Sequence, residues 1–324
     1  MQPESIKTHS ELFKLQSELT SVDSARFNST PPARAPAGGQ IVDLLHSSHT
    51  CNVNFMSENH AAFVGSIPEN YDRYLGPPMC RPNAEDLAAR LRVAPNASVL
   101  ELACGTGILT RCLRDRLPAE AKLTATDLNQ DMINYAIAKF GSGSVEWKQA
   151  DATELPLADE SFDAIVSQFG VMFVPDKAHA FAEAHRVLKR GGQLLFNVWD
   201  SLEYNDFART GREVVNGFFE DDPPTFYNVP FSSYEREPMR ELLAGAGFTD
   251  IQVATVPKDA TAPSAAELAI GLVEGNPIIT AIKERMPEKI PAIRTAVTRA
   301  LVDRFGDAPV RAKMQAIVWS ARKN

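Results

Sequence analysis

The stretch Val99-Leu100-Glu101-Leu102-Ala103-Cys104-Gly105-Thr106-Gly107 constrains the fold of this 324-residue chain more than any other. Apolar residues around a single acid read as a buried strand. Two glycines one residue apart then turn the backbone, and a helix opens at Ile108. Such a unit belongs at the carboxyl edge of a parallel sheet, where doubly wound α/β proteins hold ligands of the nucleotide type. A dinucleotide site wants a third glycine, in the order G-x-G-x-x-G, and Thr110 stands there instead. What remains distinctive is the acid Glu101, four residues before the first glycine.

The chain downstream keeps the same rhythm. Residues 122–127 read as a second strand ending in Asp127, about twenty residues past the turn, where a carboxylate can accept from both hydroxyls of a ribose. Asp127 also suits the N-cap of a helix over 130–140, a role Asn129 could share. Its place at the strand end favours the ribose. A short strand at 145–149 leads to Asp151-Ala152-Thr153-Glu154-Leu155-Pro156, which alone is no more than a surface turn. Residues 162–169 have the β-branched centre of a central strand closing near Gln168, and Met172 and Phe173 follow as either site wall or ordinary core. A helix over 177–188 with Lys189-Arg190-Gly191-Gly192 as its basic, glycine-capped end precedes a fifth strand at 193–199.

With these residues in order, the chain resembles the class I S-adenosylmethionine-dependent methyltransferases of type 11 (ubiquinone/menaquinone-methyltransferase-like). Glu101, Gly105 and Gly107 match that family's first motif, acid-x-x-x-G-x-G. The segment from Glu183 to Gly192 is close to its E-x-x-R-V-L-x-P-G-G, with Arg190 in place of the proline. Tyr71-Asp72-Arg73-Tyr74-Leu75-Gly76-Pro77, after Gly65, is similar to the segment that folds over the cofactor. The resemblance covers most of 63–199. It implies an α/β fold, a doubly wound seven-stranded Rossmann-like sheet with its last strand antiparallel, an N-terminal helical lid and a helical cap insertion. It also implies S-adenosylmethionine as cofactor and methyl transfer to O, N, C or S of a small organic molecule.

The resemblance carries a set of cofactor-binding positions. Glu101, Ala103, Gly105, Thr106 and Gly107 form the turn that cradles the amino-acid half, with Tyr71 and Gln168 beside it. Asp127 takes the ribose, Asp151 and the backbone N–H of Ala152 take the adenine, and Leu128 and Met132 complete the set. No catalytic residue is assigned: His179 and His185 fall on an outer helix, and His60, just before the lid, is the least implausible base. Tyr71 and Tyr74, three apart, either line the active site or pack on one helical face. A non-catalytic S-adenosylmethionine-binding regulator or partner subunit is the alternative reading. An NAD-dependent oxidoreductase is a more distant one, disfavoured by Thr110.

The flanks divide the chain into an extension at 1–60 and a methyltransferase domain at 61–324. Residues 5–20 have helical spacing through Leu12, Leu15 and Leu19, residues 28–40 read as a Pro/Ala/Gly linker, and 41–46 as a short helix. Lys7 and Lys14 are outnumbered by Glu4, Glu11 and Glu18, so the first helix lacks the basic face that lipid requires. After the fifth strand, Pro223, Pro224 and Pro230 mark a loop at the substrate rim, with a helix at 238–246 and a sixth strand at 248–257 beyond it. A helical stretch at 265–305, broken at Pro277, Pro287 and Pro291, precedes a seventh strand at 313–321. This makes 258–312 a helical substrate cap.

The net charge is −8 and no Lys/Arg cluster is long enough to track a phosphate backbone, which disfavours nucleic acid as partner. Four cysteines at irregular spacing (Cys51, Cys80, Cys104, Cys112) give neither a disulfide framework nor a metal site, and fit a reduced cytoplasmic setting. No apolar run is long enough for a bilayer and no secretory leader is expected, so no membrane partner is expected. A homodimer is left open.

Overall fold

The structure is a computed structural model that describes residues 60–141 and 143–324. The expected helices and linker at 1–46 lie outside the described residues. Seven strands form one sheet: β1 (Ser98–Leu102), β2 (Lys122–Asp127), β3 (Glu146–Gln149), β4 (Phe162–Gln168), β5 (Leu188–Trp199), β6 (Thr249–Ala262) and β7 (Val310–Arg322). Their order is β3-β2-β1-β4-β5-β7-β6, with β1 to β5 parallel and β7 antiparallel to both its neighbours. Strand order reverses between the neighbours β1 and β4, with β2 and β3 laid down on one side and β4 and β5 on the other. The carboxyl ends of these strands therefore open a crevice there.

Side chains alternate across the sheet with period two, as burial on both faces demands. Leu100, Ile165, Leu194 and Phe196 join the larger core, while Val99, Val166 and Leu195 pack on the other face with Leu87, Leu109 and Leu113. Helices α1 (Ile67–Asn70), α2 (Arg81–Arg90), α3 (Ile108–Arg116), α4 (Gln130–Phe140) and α5 (Lys177–Val187) precede β5. Between β5 and β6 come α6 (Asp206–Asn216) and α7 (Arg236–Gly245), and between β6 and β7 come α8 (Ala265–Glu274), α9 (Ile278–Arg285) and α10 (Ile290–Phe305).

From Ile67 to Arg90 the helix is uninterrupted but not uniform. Tyr71–Cys80, between α1 and α2, is a wide helix of the π type, and the N–H of Arg81 reaches back five residues to the Gly76 carbonyl. Pro77 and Pro78 lie inside it. They have no N–H, and their rings press on the carbonyls four residues back, so an ordinary α ladder cannot be kept there.

Three expectations are corrected. Lys189-Arg190-Gly191-Gly192 is not a capped helix end: α5 stops at Val187 and these residues belong to β5. Leu188 pairs with Phe162 and the register then shifts, with Gln193 opposite Ala164, so the glycine pair takes up a bulge. Lys189 meets Asp163 at 2.8 Å across that bulge. Helix α6 was not anticipated at all. Pro291 does not break a helix but sits in the first turn of α10, where its fixed φ suits the start. Strands β6 and β7 also run several residues beyond their expected ends, paired with each other from Thr249–Arg322 to Ala262–Val310.

Among the described residues no single helix is long and apolar enough to cross a membrane. Helices α8 and α9 are long and apolar enough only when taken together across a 77° bend, and their Leu268, Leu272, Ile278 and Ile282 are core residues.

The Glu183–Arg186 pair of the last motif is a structural clamp. Arg186 forks both oxygens of Glu183 (Nε to Oε1 and Nη2 to Oε2, each 2.7 Å). It also donates to the Leu155 and Leu157 carbonyls at 2.9 and 2.8 Å. Glu183 in turn accepts the N–H of Leu155 at 2.8 Å. Together they hold the 155–159 loop that leads into β4. Lysine cannot reproduce this fork, so Arg186→Lys should lower unfolding stability by about 1–3 kcal/mol, read as a lower urea midpoint with unchanged slope.

Candidate active site

The turn after β1 does its work with two glycines in different roles. Ala103, Gly105 and Gly107 all have positive φ (54°, 54° and 80°), the region where only glycine is unstrained. A Cβ on Gly105 would meet nothing within 4 Å, so its open side faces the crevice. A Cβ on Gly107 would press on the Phe140 ring and Ala136 Cβ at 3.2 and 3.3 Å, so this glycine permits α4 to pack against the turn. The N–H of Cys104 donates to the Thr126 carbonyl at 2.9 Å, tying the turn to β2.

Asp127 completes that tie. Its Oδ2 accepts the N–H of Gly105 at 2.8 Å and its Oδ1 accepts the N–H of Asn129 at 2.9 Å. Burial raises its pKa, opposed by the N–H donors of Asn129, Gly105 and Leu128. It is not a helix cap: the residue flanking α4 is Asn129, and no side chain caps that helix. Asp151 accepts both the N–H and the hydroxyl of Thr153, at 2.8 and 2.7 Å, which shapes the turn after β3.

A cavity of about 550 Å³ opens above these strand ends, within the range of small-molecule sites. Nine of the twelve sequence-derived cofactor positions lie on its wall: Tyr71, Ala103, Gly105, Asp127, Leu128, Met132, Asp151, Ala152 and Gln168. Glu101, Thr106 and Gly107 do not. Thr106 turns its hydroxyl to Asp72 at 2.8 Å, and Asp72 also pairs with Lys139. The turn, the wide helix and α4 are thereby laced together.

Glu101 is buried in β1, opposite Ala125 and Val166, with Thr110 as its polar neighbour; one carboxyl oxygen, Oε2, has no partner among the described residues. Burial pushes its pKa up to about 8. Thr110, which occupies the third-glycine position, is itself fully buried.

The other end of the cavity is aromatic, and most of it was not legible beforehand. Trp199 stacks on Phe169, ring centres 3.8 Å apart and 12° from parallel, and Phe231 continues that stack. Phe173 stacks near Phe226 and meets Phe63 edge-on at 5.5 Å. Phe226 and Pro230 come from the proline loop expected at the rim, and Leu272 and Asn276 from the insertion between β6 and β7. Met172 and Phe173, open between wall and core, are both on the wall.

Tyr71 joins this end, its hydroxyl 3.0 Å from Cys80 Sγ. Burial raises both, Tyr71 well above the phenol range and Cys80 up to about 12, so both are neutral near physiological pH. Gln168 Nε2 donates to the Cys80 carbonyl at 3.3 Å, leaving its buried Oε1 without a partner among the described residues. Tyr74 is not on the wall; it packs under Arg73, 5.1 Å from guanidinium to ring centre.

No Lys, Arg or His among the described residues lines the cavity. His179 is exposed beside Asp176 at the start of α5, and His185 packs edge-on against Phe248, where burial lowers its pKa. His60 hydrogen-bonds Thr225 Oγ1 at 3.1 Å, next to Phe226 but off the wall.

The raised pKa of Glu101 has a sign. Between the ordinary carboxylate range and about 8, the native state binds a proton that the unfolded chain has released, so stability falls as pH rises across that window and is level above it. Glu101→Gln removes the group that titrates. Urea unfolding from about pH 5 to about pH 8 should show a flatter profile for this variant, more stable than the parent by a few kcal/mol at the upper end.

Comparison with known proteins agrees with this architecture. A family model described as a methyltransferase domain matches residues 100–196. Malonyl-[acyl-carrier protein] O-methyltransferase of Hahella chejuensis is 37% identical over 125 residues; the match takes in 39% of this chain but only 44% of that protein. Ubiquinone/menaquinone biosynthesis C-methyltransferase UbiE of Proteus mirabilis is 31% identical over 179 residues, 49% of this chain and 69% of that protein. Among solved structures, YcgJ of Bacillus subtilis superimposes with a TM-score of 0.51 at 16% identity, covering 75% of this chain and 98% of that one; this is a likeness of fold. The glycine turn, the seven-stranded sheet and these relatives together place the chain among the class I S-adenosylmethionine-dependent methyltransferases of the type 11 group.

Proposed function

We propose that the polar end of the cavity holds S-adenosylmethionine and the aromatic end a small organic substrate that receives its methyl group. The observation that carries this reading is Asp127. It stands at the end of β2 on the cavity wall, with one carboxylate oxygen bound to the glycine turn. Its Oδ1 accepts both the N–H and, at 3.4 Å, the side-chain Nδ2 of Asn129, while Oδ2 keeps a further lone pair with which to accept a ribose hydroxyl. The open space over Gly105 suits close approach of the methionine half, and the unpartnered Oε1 of Gln168 is an acceptor for its ammonium. Asp151 and Ala152 are placed for the adenine, with Leu128 and Met132 as its apolar flank.

When bound, the cofactor supplies a methyl group already activated on a sulfonium. The chain's own work is then to align, enclose and desolvate. Phe63, Tyr71 and Phe173 close one side. The strap before α1 is fastened across the mouth by Asn129 Nδ2 on the Ala61 carbonyl and by Asp131 on the Gly65 N–H, both at 2.9 Å. With Tyr71 and Cys80 held neutral, the described wall offers the substrate no strong base, which fits a nucleophile that needs none. Leu272 and Asn276 on the cavity wall support reading 258–312, its ends paired as the tips of β6 and β7, as the substrate cap of a 61–324 domain. A small molecule rather than a nucleic acid suits a wall without cations among the described residues. The free thiols Cys80, Cys104 and Cys112 suit a reducing, cytoplasmic setting.

Calorimetry with S-adenosylmethionine, S-adenosylhomocysteine and NAD tests the reading: both sulfur compounds should bind and NAD should not, and the reverse would sink it. Asp127→Ala should weaken S-adenosylhomocysteine binding by about 1–3 kcal/mol, roughly 5- to 150-fold, while the fold stays intact by circular dichroism.

A further inference from the structure

Strand β4 runs into a second strained turn, and one side chain of β5 holds it. Phe169 has a φ of 54°, in the left-handed region that a bulky residue rarely adopts. Its N–H is shared between two acceptors of Asn197, the backbone carbonyl at 3.1 Å and the side-chain Oδ1 at 3.0 Å. Asn197 is buried in the middle of the sheet, between Phe196 and Val198, and its Nδ2 has no partner among the described residues. An unpartnered buried donor is a cost to the fold, so stability alone would favour an apolar side chain here. Among the described residues the Asn197 side chain makes one hydrogen bond, the one to Phe169.

The turn matters because of what it touches. Gly170 lies so close to the turn after β1 that a Cβ added to it would collide with the Ala103 Cβ. Ala103 is itself held at positive φ, so the two strained turns rest on each other where no side chain would fit between them. On its other side Phe169 lays its ring on Trp199. Ala103, Gln168, Phe169 and Gly170 all lie on the cavity wall, while Asn197 does not. If Phe169 relaxed to an extended conformation, the peptide joining it to Gln168 would rotate, and Gly170 would no longer support Ala103.

We propose that Asn197 is a positioning residue: by holding Phe169 in the left-handed conformation it keeps the turn after β4 pressed on the turn that cradles the cofactor. This rests on the cofactor reading above. Asn197 acts through Phe169 and Gly170 and touches no ligand.

Asn197→Leu removes the acceptor at nearly constant volume, and calorimetry with S-adenosylhomocysteine reads the result. The variant should bind at least about tenfold more weakly than the parent. Phe169→Gly added to Asn197→Leu supplies a residue at ease at positive φ. The double variant should regain most of the lost affinity although it strips a ring from the wall, a gain that neither misfolding nor a purely structural asparagine can give. Unchanged affinity in Asn197→Leu overturns the proposal, as does a double variant that binds no better than Asn197→Leu. Failure of S-adenosylhomocysteine to bind the parent overturns the cofactor reading, and the proposal with it, and the first titration shows this before any variant is used.

Discussion

The hydrogen bond from the Gly105 N–H to the Asp127 carboxylate is the constraint on which the site depends. It joins the turn after β1 to the end of β2 at 2.8 Å, and the Cys104 N–H to Thr126 carbonyl bond beside it gives the joint a second point. Burial pushes the pKa of Asp127 up. The N–H groups of Gly105, Asn129 and Leu128 act against that, so the turn that needs the carboxylate also helps keep it charged. Positive φ at Ala103 and Gly105 directs the Gly105 N–H toward β2 and leaves the opposite side of the glycine open. Backbone strain and ligand access thus come from one local conformation.

Around that joint the acids serve different masters. Asp127 and Asp151 face the cavity, Asp72 binds Thr106 and Lys139 behind it, and Glu101 lies inside the sheet with Thr110. Glu183 belongs to the far side, where it and Arg186 hold the approach to β4. A motif acid therefore has no uniform meaning. Glu101 matches the family pattern best, yet it is a buried strand residue off the cavity wall.

Much of the parallel half of the sheet was legible because its signals are local. Helix α4 begins at Gln130 and ends at Phe140, as expected beside Asn129, β2 ends at its own acid Asp127, and β4 is marked by its apolar run up to Gln168. The misses have physical reasons. Helix α6 is the exception, since Phe207, Ala208, Gly211 and Val215 recur at helical spacing on its buried side and carry a readable signal. The Lys189–Gly192 stretch looks like a helix end because glycine serves equally at a C-cap and at a bulge, and only pairing with β4 decides between them. Gly107 and Gly105 are identical in sequence, but packing against Phe140 separates their tasks. The aromatic end is assembled from Phe63, Phe169, Trp199 and Phe226, far apart along the chain, and no short motif could announce it.

The widened helix at Tyr71–Cys80 has a geometric consequence for what the cavity contains. Nine residues of ordinary α-helix make about two and a half turns, which would set Tyr71 and Cys80 on opposite sides of the rod. A helix closed by bonds to the fifth residue back takes more than four residues per turn. Tyr71, Leu75 and Met79, at steps of four, then share one side with Cys80, while Tyr74 turns elsewhere. That is why spacing of three gave no guide to which tyrosine reaches the site. The two prolines that prevent the tighter winding lie outside the cavity wall, yet by setting the pitch they choose the side chains that form it.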